Sequence, residues 1–212
     1  RTSDMETLRI EAGVSSARAV LVPYACEVLA RLVKTFKPKD IAISSYGIRE
    51  GMLYEQMPQR LRDRDPLIEA CLLHDVSWRA HPDYRAEVCF DNATRANLGG
   101  LKHAERIFMG LALMHRYSNK RENTRFADLF DMVDEKTRAE AEILGKAMRF
   151  GAMLWMDKVE ELGEIRWFPK KKELHLRLSA DMEPLFGEVA QARFASLAQS
   201  LGAVAIVKPT PA

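Results

Sequence analysis

Cysteine is scarce: three occur in 212 residues, at Cys26, Cys71 and Cys89. They make no C-x-x-C spacing and no even-numbered framework, which excludes a disulfide-stapled scaffold. The expectation is buried thiols in a reducing cytoplasm. Long apolar runs are missing too. Nothing approaches the ~20 residues that a membrane helix needs, and no signal-peptide pattern is present. No membrane partner is expected. Charge of one sign is also lacking, with 32 Lys plus Arg against 30 Asp plus Glu. Whole-chain charge therefore points to no partner class, and no specific nucleic acid is expected. There are no internal repeats, no low-complexity segment, no complete P-loop and no dinucleotide fingerprint. No histidine precedes His74.

What remains is an ordinary globular composition, 47% apolar and 29% charged, long enough for one or two domains with a buried core. The charge is unevenly placed. Arg79 to Arg125 holds nine basic residues against five acidic ones, and Phe126 to Gly145 holds two against six. Such asymmetry marks either a face that attracts a polyanion or two solvated helix faces.

Periodicity predicts a mainly helical chain. Pro23 opens a helix with a broad apolar face of Tyr24, Val28, Leu29, Leu32, Val33 and Phe36. Lys37-Pro38-Lys39-Asp40 ends it. Ile41 to Ser45 reads as a short strand, and Gly47 turns the chain into a helix near Arg49 to Met57. This α-β-α piece cannot bury its own apolar surface, so an exposed apolar face is expected over Pro23 to Met57. Gln59 to Arg64 reads as a linker or an exposed turn. Asp65 then caps a helix, with Pro66 in first position, running to about Arg79. Further helices are predicted over Pro82 to Arg95, His103 to Tyr117, Thr124 to Val133 and Glu135 to Glu160. The tail changes style. Strands at Ile165 to Phe168 and Leu174 to Leu178 flank the turn Pro169 to Lys172, followed by a helix over Glu183 to Leu201 and a strand over Val204 to Val207.

Chemistry-bearing residues gather in three places. His74 and Asp75 are an adjacent pair of metal-ligand types, expected on a helix. Such a pair could hold a divalent metal that activates water, although a further histidine upstream is missing. Arg79, His81, Arg85, Lys102, Arg106, His115 and Arg116 could form an anion-binding wall, since the planar arginine fork engages phosphate oxygens in pairs. Gly47-Ile48-Arg49-Glu50-Gly51 opens a helix where backbone N–H groups can face an anion. A glycine-assisted turn explains it equally.

Ser44-Ser45-Tyr46-Gly47-Ile48-Arg49-Glu50-Gly51-Met52-Leu53-Tyr54 closely resembles the S-x-Y-G-L-R-E-G-x-L-Y segment of the exopolyphosphatase and guanosine pentaphosphate phosphohydrolase family. Leu72 to Val76 and His81 to Arg85 also look like that family's helical domain. The resemblance implies a mainly α fold: an HD-like helical domain over 59–162, preceded by an α-β-α remnant of an actin-like (ASKHA-type) lobe over 1–58. A small β-β-α-β tail over 163–212 completes it. It further implies release of terminal phosphate from inorganic polyphosphate by the intact enzyme, with Mg as its cofactor. In that reading Arg49 and the basic wall contact polyphosphate or another phosphorylated polyanion, and the protein is a cytoplasmic homodimer. This chain has no D-x-G-G-G-S/T-x-E segment and no N-terminal phosphate loop, so no catalytic residue and no cofactor are expected within it. Arg1, in place of Met, fits a chain that begins inside a longer parent. The alternative expectation is an HD-type metal-dependent phosphohydrolase acting on nucleotides or phosphoesters through His74 and Asp75.

Overall fold

The computed structural model describes residues 7, 10, 13, 15–41, 47–96, 98–118, 125–154 and 163–209. The chain divides into two units, Arg1–Gly47 and Ile48–Ala212.

In the first unit the main element is α1 (Val22–Phe36), with Pro23 in its opening turn. It ends where Lys37 enters the left-handed region at φ 45°, its N–H donating to the Val33 carbonyl at 2.9 Å. No residue of α1 is buried. Tyr24, Val28, Leu29, Leu32, Val33 and Phe36 all stand exposed, as do Ile48, Met52 and Leu53 of the next element. Among the described residues of the stretch Pro23 to Met57, these apolar side chains are therefore uncovered, as expected. The strand read over Ile41 to Ser45 falls outside the described residues except for Ile41, which belongs to no strand.

The second unit begins with α2 (Ile48–Gln56). The Tyr54 hydroxyl donates to the Arg62 carbonyl at 2.8 Å, holding α2 to the segment that follows. In that segment, read as a linker or an exposed turn, Gln59–Arg62 forms one helical turn. α3 (Pro66–Leu72) starts as predicted: Asp65 accepts from the Leu67 N–H and Pro66 occupies the first turn. It stops seven residues short of the predicted end. From His74 onward the backbone bonds shorten to three residues back, and the His74 carbonyl accepts from the Tyr117 hydroxyl at 3.1 Å. Residues 73–80 form successive turns in which Val76, Trp78 and Ala80 each bond three residues back. His74 and Asp75 thus lie in turns, not on a helix.

α4 (Arg85–Arg95) begins three residues later than expected, with Pro82 to Tyr84 in a turn. There the Arg85 side chain donates twice to the Ala80 carbonyl, at 3.2 and 3.1 Å, and closes the preceding loop. α5 (His103–Tyr117) matches its predicted span, and residues 109–115 are buried along its length. Thr124 is outside the described residues, and Ala127–Phe130 makes a single turn. α6 (Glu135–Gly151) is capped by Asp134, which accepts from the Thr137 N–H at 2.7 Å. It ends at Gly151, short of the expected Glu160; Trp155 to Glu160 lie outside the described residues.

Two apolar cores result. The first joins Cys89, Phe90 and Ala93 of α4 to Ile107, Met109 and Leu113 of α5 and to Phe126, Phe130 and Ala141. Phe90 stacks on Phe126 with ring centroids 4.4 Å apart. The second core forms on the far half of α6, where Phe150 and Leu154 meet Leu174, Leu176, Leu178, Met182 and Phe194.

These latter residues belong to the tail: β1 (Gly163–Phe168), β2 (Glu173–Leu178), α7 (Glu188–Ser200) and β3 (Val204–Pro209). Gly187 separates a 3-10 turn (Glu183–Leu185) from α7, so the predicted helix is split. β1 pairs antiparallel with β2, and β2 parallel with β3 through the α7 crossover. Alternation along β2 buries residues 174, 176 and 178, so one face of the sheet meets α6 and α7. Of the cysteines expected to be buried, only Cys89 is; Cys26 and Cys71 are exposed. Among the described residues no helix is long and apolar enough to cross a membrane.

Candidate functional site

The helix-ending residue Tyr117 organises the basic residues that the sequence singled out. It closes α5 and faces the turns that follow α3. Its hydroxyl donates to the His74 carbonyl and lies 3.1 Å from Asp75 Oδ1. Asp75 Oδ1 also accepts from Arg116 Nη2 at 3.2 Å, and Oδ2 sits 3.3 Å from His74 Nε2. Two guanidiniums lie on the tyrosine ring: Arg116 Cζ is 4.8 Å from the centroid and Arg85 Cζ is 5.3 Å. A cation over the face of an aromatic ring is held by the ring quadrupole.

This contact bundle sets the electrostatics. Burial pushes the Tyr117 phenol up to about 12, and the hydrogen bond to the Asp75 carboxylate works in the same direction, against the nearby Arg116. The phenol is thus a fixed neutral donor near neutral pH. The Cys89 thiol is also pushed up, chiefly by burial.

The remaining expected residues are dispersed. Arg79 stacks on exposed Trp78 at 5.0 Å, in the same run of turns as His74 and Asp75. His81 is exposed; its Nδ1 accepts from the Asp83 N–H at 3.3 Å, and its ring sits 5.9 Å from Tyr84. Arg106 lies ten residues before Arg116 on α5, about 15 Å along the axis. It donates to the Leu98 carbonyl at 3.0 Å and lines a different cleft with Asp91, Arg95 and His103. His115 is buried at the α5–α6 crossing beside Gly145, where it lines a cleft with Arg138 and Glu142. Arg49 is exposed in the first turn of α2. The structure therefore groups Asp75, Arg85, Arg116 and Tyr117, with Arg79 and His81 on the same loop, and separates Arg49, Arg106 and His115.

Could His74 and Asp75 hold a divalent metal? The donor set does not fit. A guanidinium already sits on the Asp75 carboxylate, and a cation there would face that positive charge. His74 Nδ1 lies 2.9 Å from the Cys71 carbonyl. Among the described residues no group of three or more His, Cys, Asp or Glu side chains is placed to hold a metal.

Sequence reasoning missed Tyr117, read only as a helix end, and also Arg149 and Arg193. Burial, and then the Arg116 charge, lower the pKa of Arg149; burial, then Arg149 and Arg116, lower that of Arg193. Nothing local in the sequence signals these two, because α6 and α7, which carry them, lie far along the chain from Arg116. Arranged in this way, the cluster can bind and orient an anion. It presents planar cations beside one carboxylate and a phenol.

No curated protein matches the chain significantly. The family described as "Exopolyphosphatase, C-terminal" matches residues 42–207. That span takes in α2 through β2 and α7, and most of β3, so the chain belongs to the exopolyphosphatase C-terminal family.

Proposed function

We propose that this chain is the accessory part of an exopolyphosphatase that holds inorganic polyphosphate through its helical domain. The hydrolytic step in this reading belongs to the Mg-dependent, actin-like lobes of a cytoplasmic homodimer. The observation that carries the proposal is the pair of guanidiniums, Arg85 and Arg116, seated on the Tyr117 ring beside Asp75. The ring and the Asp75 carboxylate hold Arg116, and the ring and the Ala80 carbonyl hold Arg85, so both are pre-oriented and binding a phosphoryl oxygen costs them little further ordering. Arg79 and His81, exposed on the adjoining turns, extend the surface outward. In this assignment residues 59–162 are the HD-like domain, 1–58 belong with the actin-like lobe, and the exposed face of α1 is where that lobe rests.

Binding of a long polyphosphate to the chain tests the reading. Affinity should fall steeply as salt rises, because the contacts are between charges. Arg85→Gln and Arg116→Gln should each weaken it by roughly tenfold, the loss of about one charge-assisted pair. Unchanged affinity in both variants would remove the proposal. Stoichiometric bound metal with turnover of simple nucleotides would replace it with an HD-type metal-dependent phosphohydrolase.

A further inference from the structure

The tail sheet leaves one edge open. Among the described residues its order is β1-β2-β3, so β1 has a strand on one side only. Residues 163–167 of β1 are all exposed. Register assigns its two faces. Ile165 lies opposite Leu176 and Trp167 opposite Leu174, so both belong to the face on which Leu174, Leu176 and Leu178 are buried. Yet Ile165 and Trp167 stay 50% and 38% exposed. The apolar face of the sheet therefore runs on past its cover to the open edge. Glu164 and Arg166 occupy the other face, where they pair with each other.

An edge strand is a template for a further strand unless something blocks it. β3, at the other edge, carries Lys208 and Pro209, residue types that block pairing. β1 has no proline, and its two charges are opposite in sign. That pattern complements itself. When a second β1 runs antiparallel about a two-fold axis through Ile165, Glu164 of each copy faces the partner's Arg166. Ile165 then faces the partner's Ile165, and Trp167 faces the partner's Gly163, where no side chain competes for the space. The two neighbouring registers that keep the faces matched fail on charge. One sets Arg166 against the partner's Arg166, and the other sets Glu164 against the partner's Glu164. We propose that the β1 edge is a self-pairing surface for a second copy of this chain, joined in the register that centres on Ile165. The pairing makes one continuous sheet of two and covers Ile165 and Trp167. Residues 163–167 of each copy make a small interface, so a dimer that dissociates on dilution is expected. Polyphosphate binding as proposed above uses none of these residues, so the pairing stands or falls separately.

The test is sedimentation velocity of the full 212-residue chain over a concentration series. Leu32→Glu is carried in every sample, so that the exposed face of α1 takes no part. The background chain should dimerise reversibly. Glu164→Arg and Arg166→Glu, each alone, set like charges across the pair and should weaken association by roughly tenfold. An equimolar mixture of the two should regain it, because each copy then meets the opposite charge at both positions. The chain carrying both substitutions should dimerise as well, for the same reason. Recovery in the mixture also shows that both variants are folded. A background chain that stays monomeric at every concentration overturns the proposal. So does a dimer that neither single variant weakens. Weakening that the mixture fails to restore is a general charge effect, and it overturns the proposal too.

Discussion

At the scale of single residues, Tyr117 does several tasks with one side chain. Its hydroxyl ties α5 to the turns after α3, and its ring carries Arg85 and Arg116. Tyr117→Phe should cost about 1 kcal/mol, the net worth of one buried hydrogen bond, while leaving the ring in place. The phenol also predicts a pH dependence. In the unfolded chain it ionises near 10.0, and in the folded chain near 12, so the folded state holds the proton longer. The stability from this difference is complete below pH 10, declines as pH rises toward 12, and is gone above it. Thermal denaturation across that window, beside an ultraviolet titration of the five tyrosines, checks the assignment. A wild-type titration with all five ionising together near 10 would sink it. The sequence places Tyr117 correctly at the end of α5 but says nothing of its partners, which lie 42 and 43 residues earlier.

At the scale of elements, the crossing of α5 and α6 decides how the body packs. Gly145 sits at the point of closest approach. A Cβ there would strike the Ala112 carbonyl and lie 2.5 Å from His115 Cβ. Backbone cannot yield as a flexible side chain would. Gly145→Ala should therefore destabilise by about 1–2 kcal/mol, the cost of overpacking less the gain in helix propensity. Gly51, in the middle of exposed α2, is the control. Nothing lies within 4 Å of its added Cβ, so Gly51→Ala should stabilise by roughly 0.4–1 kcal/mol. Denaturant unfolding separates the two signs, and equal shifts would refute the close-contact account. Elsewhere, element starts were legible where a capping residue announces them, as at Asp65 and Pro66. The end at Leu72 and the start at Arg85 were not, and the residues there bond to distant partners or across a loop: the His74 carbonyl to Tyr117 and the Arg85 side chain to the Ala80 carbonyl.

At the scale of the whole molecule, the second unit has two filled cores, whereas α1 in the first unit keeps its apolar face uncovered. Tyr24 and Phe36 are 70% and 74% exposed, values typical of surface side chains although the stripe they extend is strongly apolar. A face that buries nothing contributes little to folding. Leu32→Glu should accordingly change stability by less than about 0.5 kcal/mol, while reducing self-association and binding of an apolar dye. A cooperative loss of several degrees in Tm would mean that the face is packed in solution. The sequence by itself determined the helical character, the α5 span, the β-β-α-β order of the tail and the exposed stripe of α1. These follow from periodicity, caps and turn residues, which act over a few neighbours. It also carried the motif by which the family was recognised. Tertiary structure alone decided which arginines meet. It joined Arg85 and Arg116 over Tyr117, brought Arg149 to Arg193, and set Arg106 and His115 on other faces. The physical reason is that charge clustering depends on which helix faces cross, and a crossing such as that at Gly145 is fixed by packing between segments far apart in the chain.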